Sequence, residues 1–277
     1  TIFITAGQAI GYVKTQVPPE AIMVDSFLFS LSSILILTTG TMFVMWLGER
    51  ITDKGLGNGI SLIIMIGIIA QLPLAFSSEL VSRMGMNGGG LIPFIIEIAA
   101  LAFVVILVIL LVQGTRKIPV QYAKRIVGNK QYGGVRQYIP LKVNAAGVMP
   151  IIFAQAIMFI PGTMASFLPE SSFAQWMGPN LGNPMSLSYN LLFAFLIIAF
   201  TYFYTAITVN PTQMADDMKR NGGFVPGIKP GRKTGEFIDG VISHITLPGS
   251  IFLAIVAIMP SIAVMLGINS QFAHFYG

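Results

Sequence analysis

Long runs of apolar residues, separated by shorter polar segments, dominate the chain. A helix needs about 20 residues to cross roughly 30 Å of hydrocarbon, and six of the runs approach or exceed that length. They cover residues 27–47, 59–76, 91–112, 143–168, 188–209 and 245–266, and residues 1–13 have the character of the last part of a seventh. The ten-residue alternating segments of a membrane β-barrel are missing from the sequence. The pattern therefore predicts an all-α protein that crosses a membrane several times.

Composition narrows the class of protein further. Charged residues make up 10% of the sequence, against about 25% in soluble domains. The chain has no cysteine, which excludes disulfides and thiol nucleophiles, and its two histidines, His244 and His274, lie thirty residues apart. An intramembrane enzyme needs a nucleophile with a neighbouring base, and the sequence offers no such pair. A secondary transporter needs a site for an ion or substrate near the middle of the membrane, and Glu97 is the one carboxylate within the predicted spans. An intramembrane enzyme is therefore the weaker of the two classes, a secondary transporter is the remaining alternative, and we expect no metal or cofactor.

The cations lie almost entirely on one side of the predicted topology. One set of alternating loops carries 14 of the 16 lysines and arginines, and the other set carries Lys14 and Arg83. Lysine and arginine accumulate in cytoplasmic loops of membrane proteins. The partition predicts that the loop after residue 47 and the two large loops, 114–142 and 210–244, face the cytoplasm.

The two large loops have more cations than topology requires. Loop 114–142 contains seven and no carboxylate. In loop 210–244, the pairs Gly222-Gly223, Pro226-Gly227 and Pro230-Gly231 predict a rigid, turned finger with Lys229 near its tip. Attraction to anionic lipid explains the positive charge of these loops but requires no turns of glycine and proline. A basic protrusion with a defined shape instead favours docking of RNA or an acidic protein. A nucleotide-binding P-loop is excluded because Arg232 separates Gly231 from Lys233.

Several polar residues fall within the predicted spans. Asn144 and Gln155 are eleven residues apart, which places them on one helical face, and Pro150 between them predicts a kink. Gln8 lies in the first, partial helix. Such residues either bond to neighbouring helices or line a water-filled path.

The segment Gly57-Asn58-Gly59-Ile60-Ser61 marks the start of the second span, with Asn58 or Ser61 as its cap. Ile60 and Ile64 then share one helical face. By spacing alone, they are suited to lipid contact or packing.

These motifs together resemble the SecY family, the channel subunits of the bacterial Sec protein translocon. The resemblance is carried by residues 40–61, 122–125, 140–144 and 224–231, and it runs through essentially the whole chain. It implies a channel of two pseudo-symmetric five-helix halves, with residues 1–76 ending the N-terminal half and residues 77–277 forming most of the C-terminal half. The chain would run from the third to just past the ninth helix, so we expect further helices and a plug before Thr1 and a tenth helix after Gly277.

The resemblance also implies a function and its residues. The channel would conduct unfolded preproteins across the bacterial cytoplasmic membrane and release transmembrane segments sideways into lipid. Ile60, Ile64 and Ile152 would form the pore ring, and Gln8, Asn144 and Gln155 would belong to the lateral gate. The ribosome or the SecA motor would dock on Arg116, Lys117, Lys124, Arg125, Arg220, Lys229, Arg232 and Lys233. Further implied partners are SecE, SecG, signal sequences and lipids. Lys229 lies where the family commonly has arginine. Lysine keeps the positive charge but cannot form the two parallel hydrogen bonds that an arginine guanidinium makes to one anion.

Overall fold

The computed structural model is mostly helical. It describes residues 2–18, 26–55, 57–85, 90–122, 125–127, 130–132, 136–167, 171–268 and 270–276. The helices are α1 (Ile2–Gln16), α2 (Ser26–Asp53), α3 (Gly59–Met84), α4 (Leu91–Gln113), α5 (Met149–Phe167), α6 (Ser172–Leu181), α7 (Leu187–Thr208), α8 (Pro211–Arg220), α9 (Arg232–Met265) and α10 (Ser270–Ala273), followed by a 3-10 turn at His274–Tyr276.

Five segments of the described chain are long and apolar enough to cross a membrane. They are Phe27–Asp53, Gly59–Met84, Leu91–Gln113, Leu187–Arg220 and Arg232–Met265. The third of these is the most apolar, with a mean hydropathy of 3.3. The remaining predicted span, 143–168, contains a shorter apolar helix at Met149–Met164. The prediction of a mostly helical, multi-pass membrane protein is confirmed.

Two helices extend well beyond the apolar runs that predicted them. The helix α3 continues past residue 76 to Met84, and α9 begins at Arg232 instead of residue 245. Charged pairs four residues apart stabilise the added turns, Glu79 with Arg83 in α3 and Arg232 with Glu236 in α9. A helix therefore continues where hydrophobicity ends, and the apolar runs underestimate its length.

The all-α prediction omitted strands in the two large loops, five of them among the residues that the structure describes. The strands are β1 (Thr115–Tyr122), β2 (Arg125–Val127), β3 (Lys130–Tyr132), β4 (Arg136–Lys142) and β5 (Gly223–Phe224). Antiparallel pairing joins them in the order β4-β1-β5, while β2 pairs with β3. The signal was present in β1, where buried Ile118 and Val120 alternate with exposed neighbours, as expected for a half-buried strand.

The chain divides into two compact units. The first contains Thr1–Glu97, Ala156–Asn190 and Pro260–Phe275. The second contains Ile98–Gln155, Leu191–Met259 and Tyr276–Gly277. The division into channel halves at residue 76 concerns the intact channel and stays a prediction.

Candidate functional site

The two basic loops predicted from the sequence fold together. In the second unit, β1 from loop 114–142 pairs on one side with β4 and on the other with β5 from loop 210–244. Gln121 lies opposite Phe224, and Tyr122 opposite Gly223. We call the assembly of this sheet, α8, the finger 221–231 and the first turns of α9 the basic platform. Sequence reasoning predicted both loops but not that they share a sheet.

A small apolar core holds the basic platform together. Its buried members are Ile118, Val120, Leu141, Met218, Val225, Ile238 and Ile242. They come from β1, β4, α8, the finger and α9, so every part of the platform contributes. Val120 is 0% and Ile238 1% exposed, and full burial of such a side chain contributes about 1.5–3 kcal/mol. The finger is thus anchored to a folded base.

Backbone turns give the finger its shape. Three of its glycines have positive φ angles that other residues rarely adopt, Gly222 at 70°, Gly227 at 85° and Gly231 at 96°. The amide of Ile228 donates to the Val225 carbonyl at 3.1 Å, which closes the turn beside the buried valine. The hydroxyl of Thr234, a residue only 1% exposed, donates to the Lys229 carbonyl at 2.9 Å. The backbone at Lys229 is therefore fixed while its side chain stays exposed.

The predicted docking cations on the platform differ in their surroundings. Four of them are exposed in the structure: Arg116, Lys117, Arg220 and Lys229. Arg232 and Lys233 are also exposed, but Glu236 lies 3.1 Å from the first and 3.5 Å from the second. That carboxylate offsets part of their charge. Lys124 and the side chain of Arg125 fall outside the described residues.

A tight hairpin of α2 and α3, within the first unit, positions the predicted pore residues Ile60 and Ile64. The Asn58 side chain accepts from the Ser61 amide at 3.1 Å, so the cap predicted at this helix start is confirmed. The Thr52 hydroxyl oxygen accepts from the Gly59 amide at 2.8 Å, which ties the two helix ends together. These bonds fix the first turn of α3.

Ile60 and Ile64 lie on the exposed face of this helix, with 42% and 49% of their surface accessible. Ile60 also contacts α2, since a Cβ added to Gly48 would lie 2.6 Å from its Cγ1 atom. Ile152 is 44% exposed in α5 and belongs to the second unit. The exposure of all three residues agrees with either a pore lining or a lipid contact, so their role as a ring stays a prediction.

The expected helical face shared by Asn144 and Gln155 is wrong. Asn144 lies in a turn before α5, which begins only at Met149, so the 100° rule does not apply between them. Gly147, between Asn144 and α5, has a φ of 66°, which is incompatible with a continuous right-handed helix from Asn144 to Gln155. The kink predicted at Pro150 is also wrong, because this proline occupies the first turn of α5, where a missing amide costs nothing; Pro161 is the proline inside the helix.

The gate candidates nevertheless have distinct environments. Asn144 is half-buried, and its Oδ1 atom is buried without a hydrogen-bond partner among the described residues. A buried acceptor without a donor costs about 1–3 kcal/mol, so a hydrogen bond to Asn144 Oδ1 would stabilise this turn. Gln155 is exposed, and Gln8 is half-buried in α1 of the first unit.

Sequence reasoning missed a buried charge cluster in the first unit. The Arg83 guanidinium donates to Glu79 Oε1 at 2.8 Å, to the Gly267 carbonyl at 2.8 Å and to Glu97. The carboxylate residues are 1% and 7% exposed. The cluster links α3, α4 and the turn after α9. The signal was the i, i+4 spacing of Glu79 and Arg83, which lay beyond the end predicted for the second span.

Membrane-crossing helices joined to a folded basic platform define a polytopic helical membrane protein. The chain belongs to the SecY family: the SecY family model matches residues 1–277.

Individual relatives agree with this assignment. The chain is 44% identical over 250 residues to the protein translocase subunit SecY of Streptomyces scabiei, covering 90% of this chain and 57% of that protein. It is 44% identical over 254 residues to the Mycobacterium tuberculosis subunit, covering 89% and 56%. For Chlamydia trachomatis the identity is 41% over 258 residues, covering 91% and 56%. The chain thus spans somewhat more than half the length of these relatives.

Solved structures show the same fold at low sequence identity. A structure described as that of a protein conducting channel superposes with a TM-score of 0.64 at 15% identity, covering 99% of this chain and 67% of that one. A structure concerned with the plug domain of the SecY protein gives 0.63 at 15% identity, covering 99% and 68%. The likeness at this identity establishes the channel-type fold.

Proposed function

We propose that the intact protein is the channel subunit of a Sec translocon. It conducts unfolded preproteins across the bacterial cytoplasmic membrane and releases transmembrane segments sideways into lipid. The observation that carries this proposal is the family match along all 277 residues, together with relatives that are named protein translocase subunits. In this proposal the protein acts as a channel and not as an enzyme.

The basic platform is proposed as the docking site for the ribosome and for SecA. Support comes from its exposed cations, Arg116, Lys117, Arg220 and Lys229, on a base with its own apolar core. A fixed array of cations binds a polyanionic surface more tightly than the same cations on a flexible tail, because less conformational entropy is lost on binding. We place this platform in the cytoplasm, and SecE and SecG beside the channel as partner subunits.

Ile60, Ile64 and Ile152 are proposed as the constriction that seals the pore. Branched aliphatic side chains exclude water from a narrow passage and so block ions, while they can move aside for a polypeptide. All three residues have accessible surface, as a pore lining requires. The helices α1 and α5 are proposed as two walls of the lateral gate, with Gln8, Asn144 and Gln155 as polar residues near it. The unpartnered Oδ1 atom of Asn144 supports a place where bonds are exchanged on opening.

Reconstitution tests the proposed function. Liposomes containing the intact protein with SecE and SecG, supplied with SecA and ATP, should protect a radiolabelled secretory preprotein from external protease. Liposomes without SecA serve as the matched control and should give no protection. Equal protection with and without SecA, or none in the complete system, would contradict the proposal.

A further inference from the structure

The helices α1 and α5 contact each other at Gly11. A Cβ atom added there would lie 2.4 Å from Cγ2 of Thr163, 2.9 Å from Cε1 of Phe159 and 3.2 Å from Cβ of Thr163. Carbon atoms in favourable contact are about 3.5–4.0 Å apart, so even one methyl group requires a displacement of about 1 Å. All three residues belong to the first unit. The absence of a side chain at Gly11 therefore permits the contact.

The α5 side of this contact is held in place. The Thr163 hydroxyl donates to the Ile160 carbonyl at 2.8 Å, which fixes the side chain of a residue that is already stiff at χ1. On another side of the same turn, Gly162 meets the end of α6, where a Cβ added to Gly182 would lie 3.6 Å from the Gly162 Cα atom. The methyl group of Thr163 thus cannot move away from Gly11 without disturbing a packed turn.

A second glycine in α1 has quite different surroundings. A Cβ added to Gly7 would meet nothing within 4 Å, and Gly7 is exposed. Gly11 is buried between Ala9 and Val13, which are 4% and 7% exposed. Helix propensity is the same for both glycines, so a comparison of the two isolates the effect of the α5 contact.

We propose that Gly11 is the point at which α1 and α5 close on each other, and that its missing side chain sets how apolar a client segment must be to part the two helices. The proposal rests on the proposed function, in which clients leave between these helices. Gln8 lies three residues before Gly11 and so on the same face of α1, which joins the polar candidate and the steric contact in one surface. Gly11 acts through Thr163 and Phe159 and is a positioning residue.

The test measures membrane integration by the intact channel. Test segments of about 19 residues with increasing numbers of leucine are presented to channels carrying Gly11→Ala, Gly7→Ala, Thr163→Ser or both Gly11→Ala and Thr163→Ser. Gly11→Ala should push α1 and α5 apart and lower the threshold for half-integration by about one to two leucines. Gly7→Ala should match the wild type. Thr163→Ser removes the closest methyl but keeps the hydroxyl, so the double variant should return part of the way toward the wild-type threshold. Adding Phe159→Leu, which removes the ring atom 2.9 Å away, should return it further.

Each outcome decides the proposal. An unchanged threshold for Gly11→Ala, in a wild-type channel that integrates segments normally, overturns it without touching the proposed function. A wild-type channel that integrates no segment at any leucine content overturns the proposed function as well. If Gly11→Ala does not accumulate, accumulation of the double variant, or of the triple variant with Phe159→Leu, supports the contact, whereas loss of all three overturns it. A threshold shift that neither Thr163→Ser nor the further change Phe159→Leu reverses, even in part, also overturns it.

Discussion

Individual isoleucines carry the proposed seal, and a nearby leucine on another face of the same helix offers a comparison. Ile64 is 49% exposed in α3, while Leu62, two residues away, is half-buried and points about 200° around the helix. Part of the Ile60 side chain packs against Gly48 in α2. Of the two isoleucines in this helix, Ile64 is therefore the sharper probe of the seal.

Ile64→Ser in the intact channel should wet the constriction and raise ion conductance at rest, because a hydroxyl stabilises water in a narrow apolar passage. Leu62→Ser makes the same chemical change on another face and should leak much less. Single-channel recording in planar bilayers compares the two. Equal leak from both variants, or no leak from Ile64→Ser, would remove Ile64 from the seal.

The buried cluster around Arg83 is a second feature that depends on single residues. Removal of one partner from a buried ion pair leaves an uncompensated charge and typically costs about 3–5 kcal/mol. Arg83→Ala should lower the unfolding free energy by about that amount, measured by denaturant titration of the purified protein in micelles. Arg232→Ala, which removes an exposed cation paired with Glu236, is the matched control and should have little effect.

A further variant identifies the cause of the loss. Glu97→Gln combined with Arg83→Ala reduces the uncompensated charge and should recover part of the stability. Unchanged stability of Arg83→Ala would show that the cluster does not hold α3 to α4 and to the Gly267 turn.

At the scale of elements, the basic platform connects two loops whose paired residues, such as Gln121 and Phe224, lie 103 positions apart in the sequence. Its sheet and core explain why a chain this apolar has a finger that is rich in glycine and proline. The core fixes the base, and the glycines allow the turns that expose Lys229. Docking strength should then depend on the charge at the tip more than on charge elsewhere.

Lys229→Glu should weaken binding of ribosomes to membranes that contain the intact protein. The slope of log affinity against log salt should also fall by about 1, as expected for one lost phosphate contact. Lys54→Glu reverses an exposed cation in the turn after α2 and controls for net charge. Flotation across a salt series measures both variants, and identical curves for the two would contradict the docking role of Lys229.

The sequence predicted elements well where one physical signal dominates. Apolar runs located the long helices, and Asn58 was correctly predicted as a cap because a side-chain acceptor before a helix satisfies free amides. Asn144 was wrongly placed in a helix because hydrophobicity does not reveal a turn at Gly147. The pairing of β1 with β5 and the contact of Gly11 with Thr163 join distant residues, and no local pattern contains that information.

At the scale of the whole molecule, family membership and fold agree along the entire chain. The proposed channel places a folded docking surface, a dry constriction and a closable pair of helices on one polypeptide. These parts are useful together only if a polypeptide passes the constriction. The central claim is thus that a client in transit lies beside Ile64.

Site-specific cross-linking of an arrested client tests this claim most directly. Residues 1–277 contain no cysteine, so once any cysteine elsewhere in the intact channel is replaced by serine, single cysteines can be placed at Ile64 and at Phe103, which is 61% exposed in the most apolar span. A preprotein halted midway by a folded C-terminal domain should cross-link through its translocating segment to Ile64→Cys and not to Phe103→Cys. Equal cross-linking at both positions, or none at Ile64→Cys while the client is protected from protease, would contradict the account.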